Sequence, residues 1–142
     1  MKILVINGPN MDMLGKRNPA LYGDMTLKQL SKKVSDFAKK KGVKTVFFQS
    51  ACEGKIVRMI NRFPCDGILL NAAAYSHTSI AIRDAIECCG KKVVEVHLSD
   101  ITAREDFRKV RMFDGVVTAC FYGKGLNSYL EGIDFLATEV GA

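Results

Sequence analysis

Glu95 and His97 stand two residues apart at the end of an apolar run, Val93-Val94-Glu95-Val96-His97. In an extended strand, residues i and i+2 share a face. The carboxylate can therefore sit beside the imidazole, orient it and favour its protonated form, which is what a general acid needs. The other histidine, His77, follows a second apolar run that ends in Asn71. A single histidine near a strand end is ordinarily a satisfied core or surface residue, so its surroundings decide its meaning. Asn7-Gly8-Pro9-Asn10 closes the first apolar run and, taken alone, is an ordinary turn. The segment after it is unusual: more than fourteen residues, with Gly15, Arg17, Pro19, Tyr22 and Gly23 among them, precede the next helix signal at Thr26. Strand-to-helix connections usually take about 2–6 residues. A long one that carries a phenol and a guanidinium reads as a mobile lid bearing chemistry, against the plainer reading of an inert surface loop.

The elements that must position these groups follow from the hydrophobic pattern. Apolar runs at Ile3 to Ile6, Val43 to Phe48, Gly67 to Leu70, Val93 to Val96 and Gly115 to Cys120 have the form of parallel strands covered on both faces. Helical patterns lie between them. Thr26-Leu27-Lys28-Gln29 is a capping box, Leu27, Leu30, Val34, Phe37 and Lys41 recur at helical spacing, and Gly42 is the stop. Ser50-Ala51-Cys52-Glu53 is a second capping-box pattern, ahead of Ile56, Val57, Ile60 and Phe63. Further helices are expected from about Thr78 to Cys89, over a short stretch from Arg104 to Val110, and from Gly125 to Thr138. This alternation implies an α/β fold: a doubly wound, five-stranded parallel sheet of flavodoxin-like order 2-1-3-4-5, with helices on both faces. Such sheets bind ligands beyond the carboxyl ends of their strands, where all the residues named above fall.

With 142 residues, 48% of them hydrophobic and 25% charged, residues 1–142 are expected to form one domain whose core needs neither disulfide nor structural metal. No run approaches the roughly 18 apolar residues of a membrane span, and the N-terminus lacks the pattern of a signal peptide, so no membrane association is expected. Five cysteines without any C-x-x-C pair argue against a zinc ribbon or a thioredoxin-type motif. They are read as reduced, mostly buried thiols of a cytoplasmic protein. No His/Cys/Asp set has metal-ligand spacing. The net charge of +6 is concentrated in Lys28, Lys32, Lys33, Lys39, Lys40 and Lys41 on one helix, which reads as a solvated face; an anionic small substrate would also suit it. The P-loop and dinucleotide fingerprints are both missing after the first strand. The third strand ends in Asn71 rather than a phosphate-accepting aspartate, and no Ser/Thr-rich loop for a flavin phosphate follows the first.

Several motifs in order carry a resemblance to a known family. They are Asn7-Gly8-Pro9-Asn10; Leu14-Gly15-Lys16-Arg17 with Tyr22-Gly23; Gln49-Ser50 with Glu53-Gly54; Asn71 with Ala74-Tyr75-Ser76-His77-Thr78-Ser79; Ile82-Arg83-Asp84-Ala85; Glu95-Val96-His97-Leu98-Ser99; and Arg104-Glu105 with Phe107-Arg108. From Ile3 to about Leu136 the chain resembles the type II 3-dehydroquinate dehydratases, dodecameric enzymes of the shikimate pathway.

The resemblance implies loss of water from 3-dehydroquinate to give 3-dehydroshikimate, an anti elimination through an enolate. By that likeness Tyr22 is the base that removes the proton beside the ketone, held as phenolate by Arg17. Asn10 stabilises the enolate through a water, and His97, oriented by Glu95, is the general acid that expels the hydroxyl. Asn71 and the backbone N–H groups of Leu98 and Ser99 hold the substrate carboxylate, and His77 and Arg108 hold its hydroxyls. Arg104 matches an arginine at the mouth of the site and ranks below Arg108. Asp84 reaches the site of a neighbouring subunit, so self-association, as a homododecamer built from trimers, belongs to the expectation. No cofactor or metal is implied.

Two departures stand out: Ala51-Cys52 replace the family's usual Asn-His pair, and Ala72-Ala73 its usual Pro-Gly. They motivate the alternative of a catalytically impaired paralogue that binds a cyclic polyol carboxylate. A nucleic-acid-binding module is motivated by the net charge alone and is not expected. Every residue with a proton-transfer role is present, so an active enzyme is the expectation.

Overall fold

The computed structural model describes residues 1–141. Its strands are β1 (Lys2–Asn7), β2 (Lys44–Gln49), β3 (Gly67–Asn71), β4 (Lys92–Val96) and β5 (Ala119–Phe121). Its helices are α1 (Pro19–Tyr22), α2 (Leu27–Lys40), α3 (Glu53–Arg62), α4 (Ile80–Cys88) and α5 (Leu126–Gly141). All strand pairs are parallel, and the order is β2-β1-β3-β4-β5, as the alternation of patterns implies.

The continuous apolar runs are explained by two cores. Ile3, Val5, Leu69, Val94 and Val96 point to the face covered by α2 and α5, where they meet Leu30, Val34, Ile133 and Leu136. Leu4, Ile6, Ile68, Leu70 and Val93 point the other way, onto Ile56 and Ile60 of α3 and Ile82 and Ile86 of α4. With both faces dry, alternation between polar and apolar has no place in these strands. Gly132 lets α5 approach the sheet, since a Cβ there would collide with Leu69 and Val96. The six lysines at positions 28, 32, 33, 39, 40 and 41 are all exposed. Among the described residues, no helix is long and apolar enough to cross a membrane.

The Thr26 capping box forms in both directions: Gln29 N donates to Thr26 Oγ1 (3.2 Å), and Thr26 N donates to Gln29 Oε1 (2.9 Å). The second expected box does not form. Ser50 Oγ instead accepts from Cys52 N (2.9 Å) to turn the chain out of β2, and α3 starts at Glu53 behind a Cys52 cap that lacks a side-chain acceptor. The third helix starts at Ile80, capped by Ser79, whose hydroxyl accepts from Ile82 N (2.9 Å). The helix expected from Arg104 to Val110 is one 3-10 turn over Asp106–Arg108, because its large apolar residues, Phe107 and Val110, are exposed and give a longer helix nothing to bury.

The fifth strand is shorter than its apolar run. Gly115 has φ +85, and Val116 and Val117 N both donate to Phe113 O, so the chain joins β4 only where Thr118 N donates to Val93 O (2.8 Å) and the register starts at Ala119 opposite Val94. The cysteines are free but not mostly buried. Cys52 and Cys88 are exposed at helix ends, and the other three are half-buried.

Candidate active site

A cleft of about 100 Å³ opens beyond the carboxyl ends of β1, β3 and β4. Asn10, Arg17, Tyr22, Asn71, His77, His97, Leu98, Ser99, Arg104 and Arg108 all line it. Residues from Asn10 to Arg108 therefore meet at one place. Asp84 is exposed on α4 and does not line the cleft of its own chain.

The dyad is formed as strand geometry demands. His97 Nε2 and Glu95 Oε1 are 2.7 Å apart, and the two residues are 5% and 1% exposed. With Nε2 donating to the carboxylate, Nδ1 is the ring nitrogen left for other partners. The His77 ring stacks on His97 with centroids 6.3 Å apart and 22° between planes. His77 Nδ1 donates to Val110 O (2.7 Å), leaving its Nε2 for the cleft. Burial, aided by the neighbouring His97 and Arg108, holds the His77 imidazole below its ordinary pKa despite the Val110 carbonyl.

The lid is more ordered than an open loop. Asn18 Oδ1 accepts from Ala20 N (3.0 Å), Pro19 occupies the first helical position, and Gly23 at φ +74 ends the turn. Asn-Pro before and Gly after is the sequence signature of such a short helix. It puts Tyr22 on the last turn, facing Arg17. Arg17 Nη2 donates to the Tyr22 hydroxyl (2.9 Å), and its guanidinium carbon lies 3.8 Å from the ring centroid. A cationic donor on this oxygen stabilises negative charge there. Arg104 approaches the same ring, at 5.3 Å. Arg108 is partly committed, since its Nε is paired with the Glu105 carboxylate, which it holds below the usual range. Behind the lid, a second cavity of about 440 Å³ is walled mainly by Leu14, Leu21, Met25, Leu30 and Leu126.

Asn71 is held through Tyr129 and Asn7, to which the sequence pattern assigns no role in the site. Its Nδ2 donates to the Tyr129 hydroxyl (2.9 Å), which donates in turn to Asn7 Oδ1 (2.5 Å). Its Oδ1 accepts from Ala73 N (3.0 Å). The amide is thereby oriented, with one Nδ2 hydrogen to spare. Tyr129 is fully buried, and burial pushes its hydroxyl above the ordinary phenol range, so it stays a neutral donor. Tyr129 at helical spacing looks like a core residue, and only its hydroxyl, which a core position must satisfy, hints at more.

The backbone around the cleft is also specific. Asn10 adopts φ +67 at the head of a 3-10 turn, Met11–Met13, and its side chain makes no capping hydrogen bond. Gly123 and Gly125 N donate to Ser99 and Leu98 O (both 3.0 Å), which fixes these two peptide planes at the rim. Gly8 lets the β1 loop pass the β3 loop: a Cβ there would stand 2.5 Å from Ala72 O. Ala73 carries φ +53, a left-handed conformation that costs an L-residue roughly 1–2 kcal/mol. The turn after Asn71 thus runs through a left-handed alanine. On the other flank, the Tyr75 hydroxyl donates to Ala51 O (2.7 Å).

Three arginines, Arg17, Arg104 and Arg108, line the cleft, and no carboxylate among the described residues does, which suits it to an anion. A phenol–guanidinium pair and a carboxylate-oriented imidazole border the same space, the pattern of a base and an acid acting on one small molecule.

Comparison with known proteins agrees with this chemistry. Residues 1–137 match the family model described as dehydroquinase class II. A 3-dehydroquinate dehydratase from Carboxydothermus hydrogenoformans is 44% identical over 135 residues, covering 94% of this chain and 88% of that protein. One from Sulfurimonas denitrificans is 50% identical over 131 residues, covering 91% and 82%. The crystal structure of a type II dehydroquinase from Butyrivibrio crossotus superposes with a TM-score of 0.92 at 38% identity, covering 96% of this chain and 97% of the other. The chain belongs to the class II dehydroquinase family.

Proposed function

We propose that the protein dehydrates 3-dehydroquinate to 3-dehydroshikimate, a step of the shikimate pathway, by anti elimination through an enolate. The observation that carries this reading is that one cleft is lined by both the Arg17–Tyr22 pair and His97, which Glu95 holds from behind. Tyr22, with Arg17 donating to its oxygen, takes the proton from the carbon beside the ketone. Electron density moves onto the carbonyl oxygen, where Asn10 holds a water that donates to the enolate. The enolate then collapses, the ring C–O bond breaks, and His97 delivers a proton to the departing hydroxyl. Glu95 keeps the imidazole oriented and stabilises its cationic form.

Substrate binding follows the polarity of the walls. The spare Nδ2 hydrogen of Asn71 and the N–H groups of Leu98 and Ser99 take the carboxylate. His77 Nε2 and Arg108 take ring hydroxyls. Arg104, beside Tyr22 and free of a carboxylate partner among the described residues, adds charge at the mouth. Asp84, exposed on α4, completes the site of a neighbouring copy, and the exposed Ile80 on the same helix gives that contact an apolar anchor. A homododecamer built from trimers in the cytoplasm fits this arrangement, and the reaction needs no cofactor.

The test is direct. Purified protein mixed with 3-dehydroquinate should raise the ultraviolet absorbance of the conjugated enone. Folded, oligomeric protein that gives no rise above background refutes the reading and favours a paralogue that only binds. Light scattering should report the mass of twelve chains, and a monomer would remove Asp84 from the site.

A further inference from the structure

The register of the last two strands brings a third donor to the dyad. β4 and β5 pair Glu95 with Cys120. Paired residues of parallel strands project from the same face, and His97, two residues beyond Glu95, shares it. One donor atom from each of Glu95, His97 and Cys120 lies within 4.8 Å of the others. Nothing in the spacing along the chain announces this set, because it exists only through the strand pairing. An independent observation points to a ligand: Glu95 is 1% exposed, and its second oxygen, Oε2, is buried with no well-aligned hydrogen-bond partner among the described residues, the Cys120 thiol lying beside the carboxylate. Buried carboxylate oxygens are ordinarily satisfied, and each exception requires an explanation.

A carboxylate, an imidazole and a thiolate are the ligand types of a borderline-soft divalent cation, with a fourth position left for water. We propose that Glu95, His97 and Cys120 form a binding site for a thiophilic divalent cation such as Zn²⁺, and that its occupation reversibly inhibits the enzyme by removing His97 from proton transfer.

The balance of the step is simple. The cation takes the place of the Cys120 thiol proton, which goes to solvent, and the imidazole proton moves from Nε2 to Nδ1 as Nε2 becomes a ligand. Without metal the thiol keeps its proton, since burial, then the charge of Glu95, pushes it up to about 12. Two ligands about 2.0–2.1 Å from a tetrahedral ion stand roughly 3.3 Å apart. The Glu95–His97 pair, at 2.7 Å, must therefore part slightly. One cation opposes binding: the Arg111 side chain lies against Cys120. It is 28% exposed and already reaches Asp114 at 3.4 Å, so it can swing onto that carboxylate. Cys120 lies on the edge strand and is half-buried, which leaves a route for the ion.

Binding does not depend on the dehydratase reading; only the inhibition does. The test uses the whole protein loaded with Co²⁺, and separately Zn²⁺ in competition with a chromophoric chelator. Expected are one site per chain, a thiolate-to-cobalt charge-transfer band, and affinity weakened roughly a hundredfold or more in Cys120→Val. Cys120→Ser should lose the band while keeping the fold, and a Cys52→Ser/Cys88→Ser double variant should keep the site. Zn²⁺ should suppress wild-type turnover, a chelator should restore it, and Cys120→Val should stay active and insensitive. No saturable binding, no charge-transfer band, or equal affinity in Cys120→Val overturns the proposal. If the wild type shows no dehydration at all, the reaction assigned above fails while the cobalt band still decides the site.

Discussion

Replacing Tyr129 with Phe removes one oxygen from a chain of three buried side chains. The hydroxyl accepts from Asn71 Nδ2 and donates to Asn7 Oδ1, and Asn7, Asn71 and Tyr129 are 2%, 3% and 1% exposed. Without it, Asn7 Oδ1 and one Nδ2 hydrogen of Asn71 lose their partner at the buried floor of the cleft. Each unsatisfied group costs about 1–3 kcal/mol, so for the two a loss of roughly 2–6 kcal/mol is expected. For a chain of this size, about 1 kcal/mol moves Tm by about 3 °C, which puts the variant roughly 6–18 °C lower. The functional effect is separate from the stability effect. Asn71 keeps its bond from Ala73 N but loses the contact that fixes its Nδ2 hydrogens, so substrate binding should weaken while proton transfer at Tyr22 and His97 continues. KM for 3-dehydroquinate should rise about tenfold, equivalent to about 1.4 kcal/mol, with kcat changed much less. Urea titration and steady-state kinetics measure the two. A variant within about 0.5 kcal/mol of wild type with unchanged KM would show that the hydroxyl neither stabilises the core nor orients Asn71.

Gly8→Ala places a methyl 2.5 Å from the Ala72 carbonyl oxygen, where backbone and not a flexible side chain must yield; a loss of roughly 2–4 kcal/mol is expected by chemical denaturation, and wild-type stability would show that the two loops move apart freely. Because burial lowers the His77 pKa in the fold, the unfolded chain binds the proton more readily; this part of the stability is present above the ordinary value of 6.5 and is lost as pH falls below it. Denaturation midpoints measured downward from neutral pH should therefore decline less in His77→Asn, and parallel curves would refute the assignment. Cys120, with its thiol pushed up to about 12, should resist alkylation at pH 8 while exposed Cys52 and Cys88 react, as peptide mapping can check; Cys120 labelled at the rate of the exposed pair would contradict its placement.

The parts of the fold governed by local rules were readable in advance. Five apolar runs gave the sheet and its order, and Thr26 with Gln29 gave the start of α2 to the residue. The misreadings came where tertiary context took over. Ser50 has the right type and spacing for a cap, but the chain needs its hydroxyl to leave β2. Val116 and Val117 are β-branched, yet the turn at Gly115 claims them for the core beneath α3 and α4. The site was legible wherever chemistry and strand position coincide, as in Glu95 and His97. It was not legible where a role comes from contact between distant residues, as for Tyr129 with Asn7 and Asn71, or Cys120 with Glu95.

The central claim is that Tyr22, with Arg17 against its oxygen, removes a proton from the substrate. Its most direct measurement is the rate of enone formation from 3-dehydroquinate by Tyr22→Phe, which keeps the ring and deletes only the hydroxyl. kcat is expected to fall by about a hundred- to ten-thousandfold while KM stays within about threefold, because the lost group acts in the transition state and the binding residues remain. A folded Tyr22→Phe variant that forms product at the wild-type rate would contradict it.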